Sequence, residues 1–129
     1  MTNILLVDDE RILVEAIARL LRRGPYVIYT AENALQAQQL LCSQPIDLIV
    51  SDQTMPGMCG VELLGWAARH FPDTVRILLT GWTTVGNPDQ AVTHALIDRC
   101  LVKPCTYDDL RSAIQDELRV RHTSSQRVV

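Results

Sequence analysis

Polar residues that can take part in phosphoryl chemistry stand at the ends of four apolar runs of this chain. Asp8 and Asp9 end the first run, Asp52 the second, Thr80 the third and Lys103 the fourth. If these runs are parallel strands, their carboxyl ends lie at one edge of one sheet, where open parallel sheets bind ligands. Three carboxylates, a hydroxyl and an ammonium at such an edge suit a divalent metal ion and a phosphoryl group.

The three acids predict a bound cation. Two unit charges about 4 Å apart repel by about 4 kcal/mol at an effective dielectric constant of about 20, so Asp8, Asp9 and Asp52 would not gather without a counter-ion. Mg²⁺ takes oxygen ligands and keeps several waters, which fits such a set. The alternative is that Asp8 or Asp9 caps the first helix, where aspartate is favoured, and both functions can hold together.

Asp52, Thr80 and Lys103 can each take part in phosphoryl transfer. Asp52 can attack phosphorus and form an aspartyl phosphate, or it simply begins a turn. The Thr80 hydroxyl can donate to a phosphoryl oxygen, or Thr80 is an ordinary β-branched strand residue. Lys103, the only lysine, can reach a carboxylate or phosphoryl oxygen as a point charge. A cis peptide bond before Pro104 is expected to aim that side chain.

Composition favours one small intracellular domain. The chain has 129 residues, of which 47% are hydrophobic, enough for one core. A net charge of −3 gives no basic face for nucleic acid, and no apolar segment approaches the roughly 20 residues of a membrane span. No signal peptide is visible, so we expect a cytoplasmic protein. The four cysteines lack zinc-site spacing and are expected to be free thiols.

Apolar runs alternate with segments of helical periodicity. We predict strands over 3–7, 26–30, 46–51, 75–79 and 100–102, and helices over 10–23, 33–42, 59–70, 89–96 and 107–121. The third and fourth strands are nearly continuous in Ile, Leu and Val, which is typical of burial on both faces. The pattern predicts a doubly wound α/β sandwich over residues 1–121, with 122–129 as a frayed tail or the beginning of a linker.

The polar residues at the strand ends stand in four motifs: Leu6-Val7-Asp8-Asp9, Ser51-Asp52-Gln53-Thr54-Met55-Pro56-Gly57-Met58-Cys59-Gly60, Leu79-Thr80-Gly81 and Val102-Lys103-Pro104. In the order and spacing of these motifs, the chain resembles the receiver domains of bacterial two-component response regulators. The resemblance covers about residues 3–120. It implies a flavodoxin-like (βα)5 fold whose five-stranded parallel sheet has the order 2-1-3-4-5.

The resemblance also implies a phosphorylation-dependent signalling switch rather than an enzyme. A sensor histidine kinase or a phosphotransfer protein would donate the phosphoryl group. It implies these roles: Asp52 as phosphoryl acceptor; Asp9, Asp52 and the backbone carbonyl of Thr54 as direct Mg²⁺ ligands; Asp8 as a ligand through water; and Thr80 and Lys103 as partners of phosphoryl oxygens.

Partners beyond the kinase follow from the same resemblance. They are a downstream output domain or partner protein, and a second copy bound through the predicted helix 89–96, the fifth strand and the last helix. Direct binding of nucleic acid or membrane is not expected. Two alternatives remain at this point: an aspartyl phosphatase of the haloacid-dehalogenase type, whose signature Asp52-Gln53-Thr54 superficially fits, and a degenerate receiver that only binds partners.

Cys59 and Cys100 are two of the residues that depart from the receiver pattern, and Trp82 lies two residues after Thr80. Cys59 replaces a common aspartate, and we expect it to begin the third helix, outside the chemistry. Cys100 stands where receivers usually carry a tyrosine or phenylalanine that moves with the switch, which predicts a less bulky face there. Trp82 is expected either to shield an acyl phosphate from water or to be a surface aromatic.

Overall fold

A single parallel sheet carries the fold. The computed structural model describes residues 1–81 and 96–127, with side chains described up to residue 120. Five strands pair in parallel in the order β2-β1-β3-β4-β5, which confirms the predicted sheet. The strands are β1 (Thr2–Val7), β2 (Tyr26–Ala31), β3 (Leu48–Asp52), β4 (Val75–Thr80) and β5 (Arg99–Val102).

Four helices lie in the described segments: α1 (Arg11–Leu21), α2 (Ala34–Ser43), α3 (Gly60–His70) and α4 (Tyr107–Arg127). The helix predicted over 89–96 falls, except for its last residue, outside the described part of the chain. Helix α4 passes the expected end at 121 and continues through the segment for which a frayed tail or linker was predicted. The domain boundary itself stays a prediction. None of the helices in the described residues is both long and apolar enough to cross a membrane.

Side chains at the helix starts explain why α2 and α4 begin where they do. Asn33 accepts the Gln36 N–H at 2.9 Å and so is the N-cap of α2. Before α4, Thr106 Oγ1 accepts the Asp109 N–H at 3.0 Å, and Asp109 Oδ2 accepts the Thr106 N–H at 3.2 Å. This reciprocal pair satisfies amide groups that have no partner inside the helix.

The sheet separates two apolar clusters. Alternate residues of β1 supply both, since Leu5 and Val7 pack with α2 and α3, whereas Ile4 and Leu6 pack with α1 and α4. Strands β3 and β4 are buried along their whole length, as their apolar runs predicted. The two layers of helices therefore cover both faces of the central strands, whose ends form the carboxyl edge of the sheet.

The predicted start of the third strand was wrong by two residues, because β3 begins at Leu48. Asp47 instead joins the beginnings of β1 and β3 through two hydrogen bonds. Its carboxylate accepts the Asn3 N–H at 2.7 Å, and its own N–H donates to the Asn3 carbonyl at 2.8 Å.

A buried arginine ties the approach to β5 onto β4. The Arg76 guanidinium donates to the carbonyls of Leu96 at 2.7 Å, Thr74 at 2.8 Å and Pro72 at 3.3 Å. Its backbone N–H donates to Asp98 Oδ2 at 2.7 Å. With the residue 7% exposed, these carbonyls take the place of the water that the guanidinium loses.

Candidate functional site

The carboxyl edge of the sheet collects the residues singled out in the sequence. Asp52 is the last residue of β3 and pairs with Leu79 of β4, so Thr80 lies one position further along. Asp8 follows β1 directly, and Lys103 follows β5. The parallel strands thus place these groups at one end, as the sequence pattern predicted.

Three carboxylates converge at this edge. One oxygen from each of Asp8, Asp9 and Asp52 can be chosen so that all lie within 4.8 Å of one another. Asp8 is 6% and Asp52 5% exposed, whereas Asp9 is exposed. Carboxylates packed so closely repel, and burial removes the water that would weaken the repulsion. A cation among them would relieve this cost.

Asp8 carries the clearest electrostatic sign of this crowding. Burial raises its pKa to about 6, and the charge of Asp52 adds to the increase. The Glu10 N–H, which donates to Asp8 Oδ1 at 2.9 Å, acts in the opposite direction, as does the charge of Lys103. Asp8 therefore also holds the turn that leads into α1. It does not cap that helix as one alternative expected, because the N-cap residue is Glu10, and no side chain caps α1 there.

The Lys103 ammonium brings a positive charge to the three acids. Its Nζ lies 2.6 Å from Asp52 Oδ1. Burial acts to lower the Lys103 pKa, but the hydrogen bond to Asp52 and the charges of Asp52, Asp8 and Glu10 outweigh it, so the pKa stands above its ordinary value. The ammonium stays charged at neutral pH. The peptide bond to Pro104 is cis, as predicted.

The donor set fits a hard divalent ion. Three carboxylates offer only oxygen ligands, and one ammonium leaves most of their charge uncompensated. No His or Cys joins this group among the described residues, so a zinc-type site has no support here. Mg²⁺, which accepts a few carboxylates and keeps water, suits this geometry best.

The two threonines predicted for the site differ in their surroundings. Thr80 is fully buried, and its hydroxyl donates to the Gly81 carbonyl at 3.0 Å. Thr54 is exposed, two residues past Asp52 in the loop before α3. Gly57 turns that loop with a φ of 81°, a conformation that favours glycine. Ligation through the Thr54 carbonyl remains a prediction.

Sequence reasoning missed two residues that support this loop. Gln53 accepts from the first amides of α3 and donates to β4, and Gly60 packs directly on the backbone of Asp52. Both contacts depend on how the chain returns from the loop into α3. The residue types alone carried no signal for them.

Cys59 and Cys100, which depart from the receiver pattern, lie in the described part of the chain. The thiol and N–H of Cys59 donate to Glu62 Oε1 at 3.1 and 3.4 Å. Cys59 is the N-cap of α3, which begins at Gly60, one residue after the predicted start. Cys100 is half-buried against the α2–α3 cluster. All four cysteines are free thiols. Trp82 lies outside the described residues.

Comparison with known sequences gives a consistent result. The family described as response regulator receiver domain matches residues 4–115. The hydrogenase transcriptional regulatory protein HoxA of Cupriavidus necator is 32% identical over 119 residues, which cover 92% of this chain and 24% of HoxA. The response regulator protein FleR of Pseudomonas aeruginosa is 34% identical over 79% of this chain and 21% of its own length. The chain thus spans about a quarter of these curated relatives.

Solved structures show the same similarity. The signal receiver domain of an HD domain-containing protein from Pseudomonas fluorescens superimposes with a TM-score of 0.86 at 35% identity, covering 95% of this chain and 98% of that one. The response regulator protein TrrA from Thermotoga maritima, solved in complex with Mg²⁺ and BeF, gives a TM-score of 0.78 at 32% identity, covering 90% and 98%.

Proposed function

We propose, from the premise that this chain belongs to the response regulator receiver domain family, that it is a Mg²⁺-dependent switch phosphorylated on Asp52. One observation carries the proposal. The Asp52 carboxylate lies within 4.8 Å of Asp8 and Asp9 oxygens and 2.6 Å from the Lys103 ammonium. Carboxylates that can bind a metal ion and an ammonium that can bind a phosphoryl oxygen thus both lie next to the proposed nucleophile, Asp52.

The proposed reaction moves a phosphoryl group from a phosphohistidine to Asp52. One carboxylate oxygen of Asp52 attacks phosphorus in line with the leaving imidazole. The P–O bond to Asp52 forms as the P–N bond breaks, and the imidazole takes up a proton as it leaves. The transition state spreads charge over three phosphoryl oxygens, so fixed positive charge in place before the reaction lowers the barrier. Lys103 supplies part of that charge.

The acids would hold Mg²⁺ beside the nucleophile. When bound, the ion neutralises charge on the phosphoryl oxygens and on the carboxylates. Asp9 and Asp52 are proposed as direct ligands together with the Thr54 carbonyl, and Asp8 as a ligand through water. Because its pKa is about 6, Asp8 is mostly ionised at pH 7.5 and available for this.

Phosphorylation would act through Thr80 and Lys103. The Thr80 hydroxyl donates to the Gly81 carbonyl, and a phosphoryl oxygen on Asp52 would be a stronger acceptor for it. A shift of population from 1:99 to 99:1 takes about 5.5 kcal/mol of differential interaction. A few charge-assisted hydrogen bonds of about 1.5–3 kcal/mol each can supply this.

An apolar groove beside Lys103 supports a kinase or phosphotransfer protein as the partner. The groove, about 640 Å³ in volume, runs between α1 and α4 and is lined by Leu13, Ile17, Leu20 and Tyr107. A helix that carried the phosphohistidine could bury apolar side chains here while its imidazole faced Asp52. We propose that this happens in the cytoplasm, and that an output domain or partner protein reads the phosphorylated state.

Acetyl phosphate with Mg²⁺ tests the proposal without the kinase. We expect intact-mass spectrometry to show one added phosphoryl group per chain, lost in Asp52→Asn. The exposed Asp108→Asn is the matched control and should be labelled like the wild type. Stoichiometric labelling that stops at one per chain supports the switch. Sustained turnover of a small phosphate ester would favour the phosphatase alternative, and absence of labelling a receiver that only binds.

A further inference from the structure

Gln53, the residue after the proposed nucleophile, makes hydrogen bonds in three directions. Its backbone N–H donates to the Leu79 carbonyl at 2.9 Å, which joins it to β4. Its backbone carbonyl accepts the Gly60 N–H at 3.0 Å, and its side-chain Oε1 accepts the Val61 N–H at 2.8 Å. One residue therefore links the end of β3 to β4 and to the first two amides of α3.

These bonds close the base of the loop formed by residues 54–59. The loop leaves β3 at Gln53 and returns to the same residue at Gly60 and Val61. Gly60 lies so close to the β3 backbone that an added Cβ would be 2.9 Å from the Cα of Gln53. The two ends of the loop are thus joined by hydrogen bonds to a single residue, Gln53.

The side-chain contact is the part of this arrangement that the sequence can vary. Backbone bonds from residue 53 survive any substitution that keeps the chain path, but the bond to Val61 needs an acceptor at the end of a side chain of this length. Early amides of a helix have no partner within the helix. Without the Gln53 amide, the Val61 N–H in this half-buried position would lose its acceptor.

We infer that Gln53 is a positioning residue for the metal site. By holding α3 against the end of β3, its side-chain amide would fix the start and return of the loop that carries Thr54, whose carbonyl is a proposed ligand of the ion. The inference rests on the proposed function, because Thr54 matters only if Mg²⁺ binds there. Residues that orient ligands without touching the metal typically change its affinity by about 10–100-fold when they are replaced.

Two substitutions remove the Val61 bond in different ways. Gln53→Met keeps the length of the side chain and removes the acceptor, whereas Gln53→Asn keeps the amide and makes it too short to reach. Gln39→Met is the matched control, since Gln39 is an exposed residue of α2. Hydrogen exchange at the Val61 amide reports whether the bond is lost. The Mg²⁺ dissociation constant, from amide chemical shifts of the isotope-labelled protein well below its melting temperature, reports the effect on the site.

We expect both Gln53 variants to exchange the Val61 amide faster and to bind Mg²⁺ about tenfold more weakly. The Gln39→Met variant should match the wild type in both measurements. A purely structural role for Gln53 would lower the melting temperature and leave the Mg²⁺ dissociation constant of the folded protein unchanged, which would overturn this inference alone. Failure of the wild type to bind Mg²⁺ would overturn the inference together with the proposed function.

Discussion

The ammonium of Lys103 lies 2.6 Å from a carboxylate oxygen of Asp52. Asp52 is the last residue of β3 and Lys103 follows β5, and β4 lies between these two strands. The ion pair therefore spans the width of one strand across the carboxyl edge of the sheet. It brings one positive charge to a cluster of three acids. Stability, metal binding and phosphorylation at this edge should consequently depend on one another.

Replacing Lys103 with methionine should destabilise the metal-free domain. The three acids would lose their nearest positive charge, and because the Lys103 side chain is 34% exposed we expect a loss of about 1–2 kcal/mol. Urea unfolding at pH 7.5 measures it. Arg111→Met, which breaks an exposed ion pair with Asp108, should cost less than about 1 kcal/mol. Equal losses in both variants would contradict a special role for Lys103.

Asp8→Asn should stabilise the metal-free domain at neutral pH. The folded-state pKa of Asp8 is raised from 3.8 to about 6, so the folded state binds more protons than the unfolded state between these values. Stability from this group is thus greatest below pH 3.8, falls as pH rises through the window and stays low above about 6. Asparagine removes the penalty and still offers an acceptor to the Glu10 N–H.

The difference in unfolding free energy between Asp8→Asn and wild type measures this effect. It should reach about 1–3 kcal/mol at pH 7.5 and shrink towards pH 4. Millimolar Mg²⁺ should reduce it, because the ion stabilises the wild type more than the variant. A difference that does not change with pH would show that crowding of the Asp8 charge is not its origin.

Two glycines of α3 should respond to alanine in opposite directions. In Gly60→Ala the new Cβ would press on the Asp52 carbonyl oxygen and lie 2.8 Å from Leu78 Cδ1, and a loss of about 1–3 kcal/mol is expected. In Gly65→Ala the nearest atom is 3.8 Å away, so the higher helix propensity of alanine should stabilise by about 0.5–1 kcal/mol. Thermal unfolding of both variants checks the pair.

Arg76→Met should destabilise the fold by about 2–4 kcal/mol, because three backbone carbonyls would lose a buried donor. Urea unfolding provides the measurement, with the exposed Arg111→Met again as control. The Mg²⁺ affinity of the folded variant should match that of the wild type, because Arg76 lies near the opposite end of β4 from Thr80. A large change in Mg²⁺ affinity would contradict this expectation and show that Arg76 influences the metal site at the other end of β4.

The parts of the fold and site that depend on strand ends could be predicted from the sequence. Asp8, Asp52, Thr80 and Lys103 each stand where an apolar run stops, and parallel pairing brings such positions together without further information. The cap at Asn33 was equally readable, because it depends on the next turn of chain alone.

Contacts that depend on the three-dimensional path of a loop could not be predicted in this way. The bond from Val61 to Gln53 and the close approach of Gly60 to Asp52 exist because the loop doubles back onto its own start. The start of β3 was misplaced for a similar reason. Asp47 is bound to Asn3, a residue 44 positions away in the chain.

The chain contains a single lysine, and that lysine is bound to the proposed nucleophile. Acylating reagents directed at ε-amines consequently have one side-chain target here, and its reactivity reports on its surroundings. Coupling this protein to a surface or a dye through its amines would risk destroying the function to be measured. The rate of this modification, followed by peptide mapping, reports how readily Lys103 is released from Asp52.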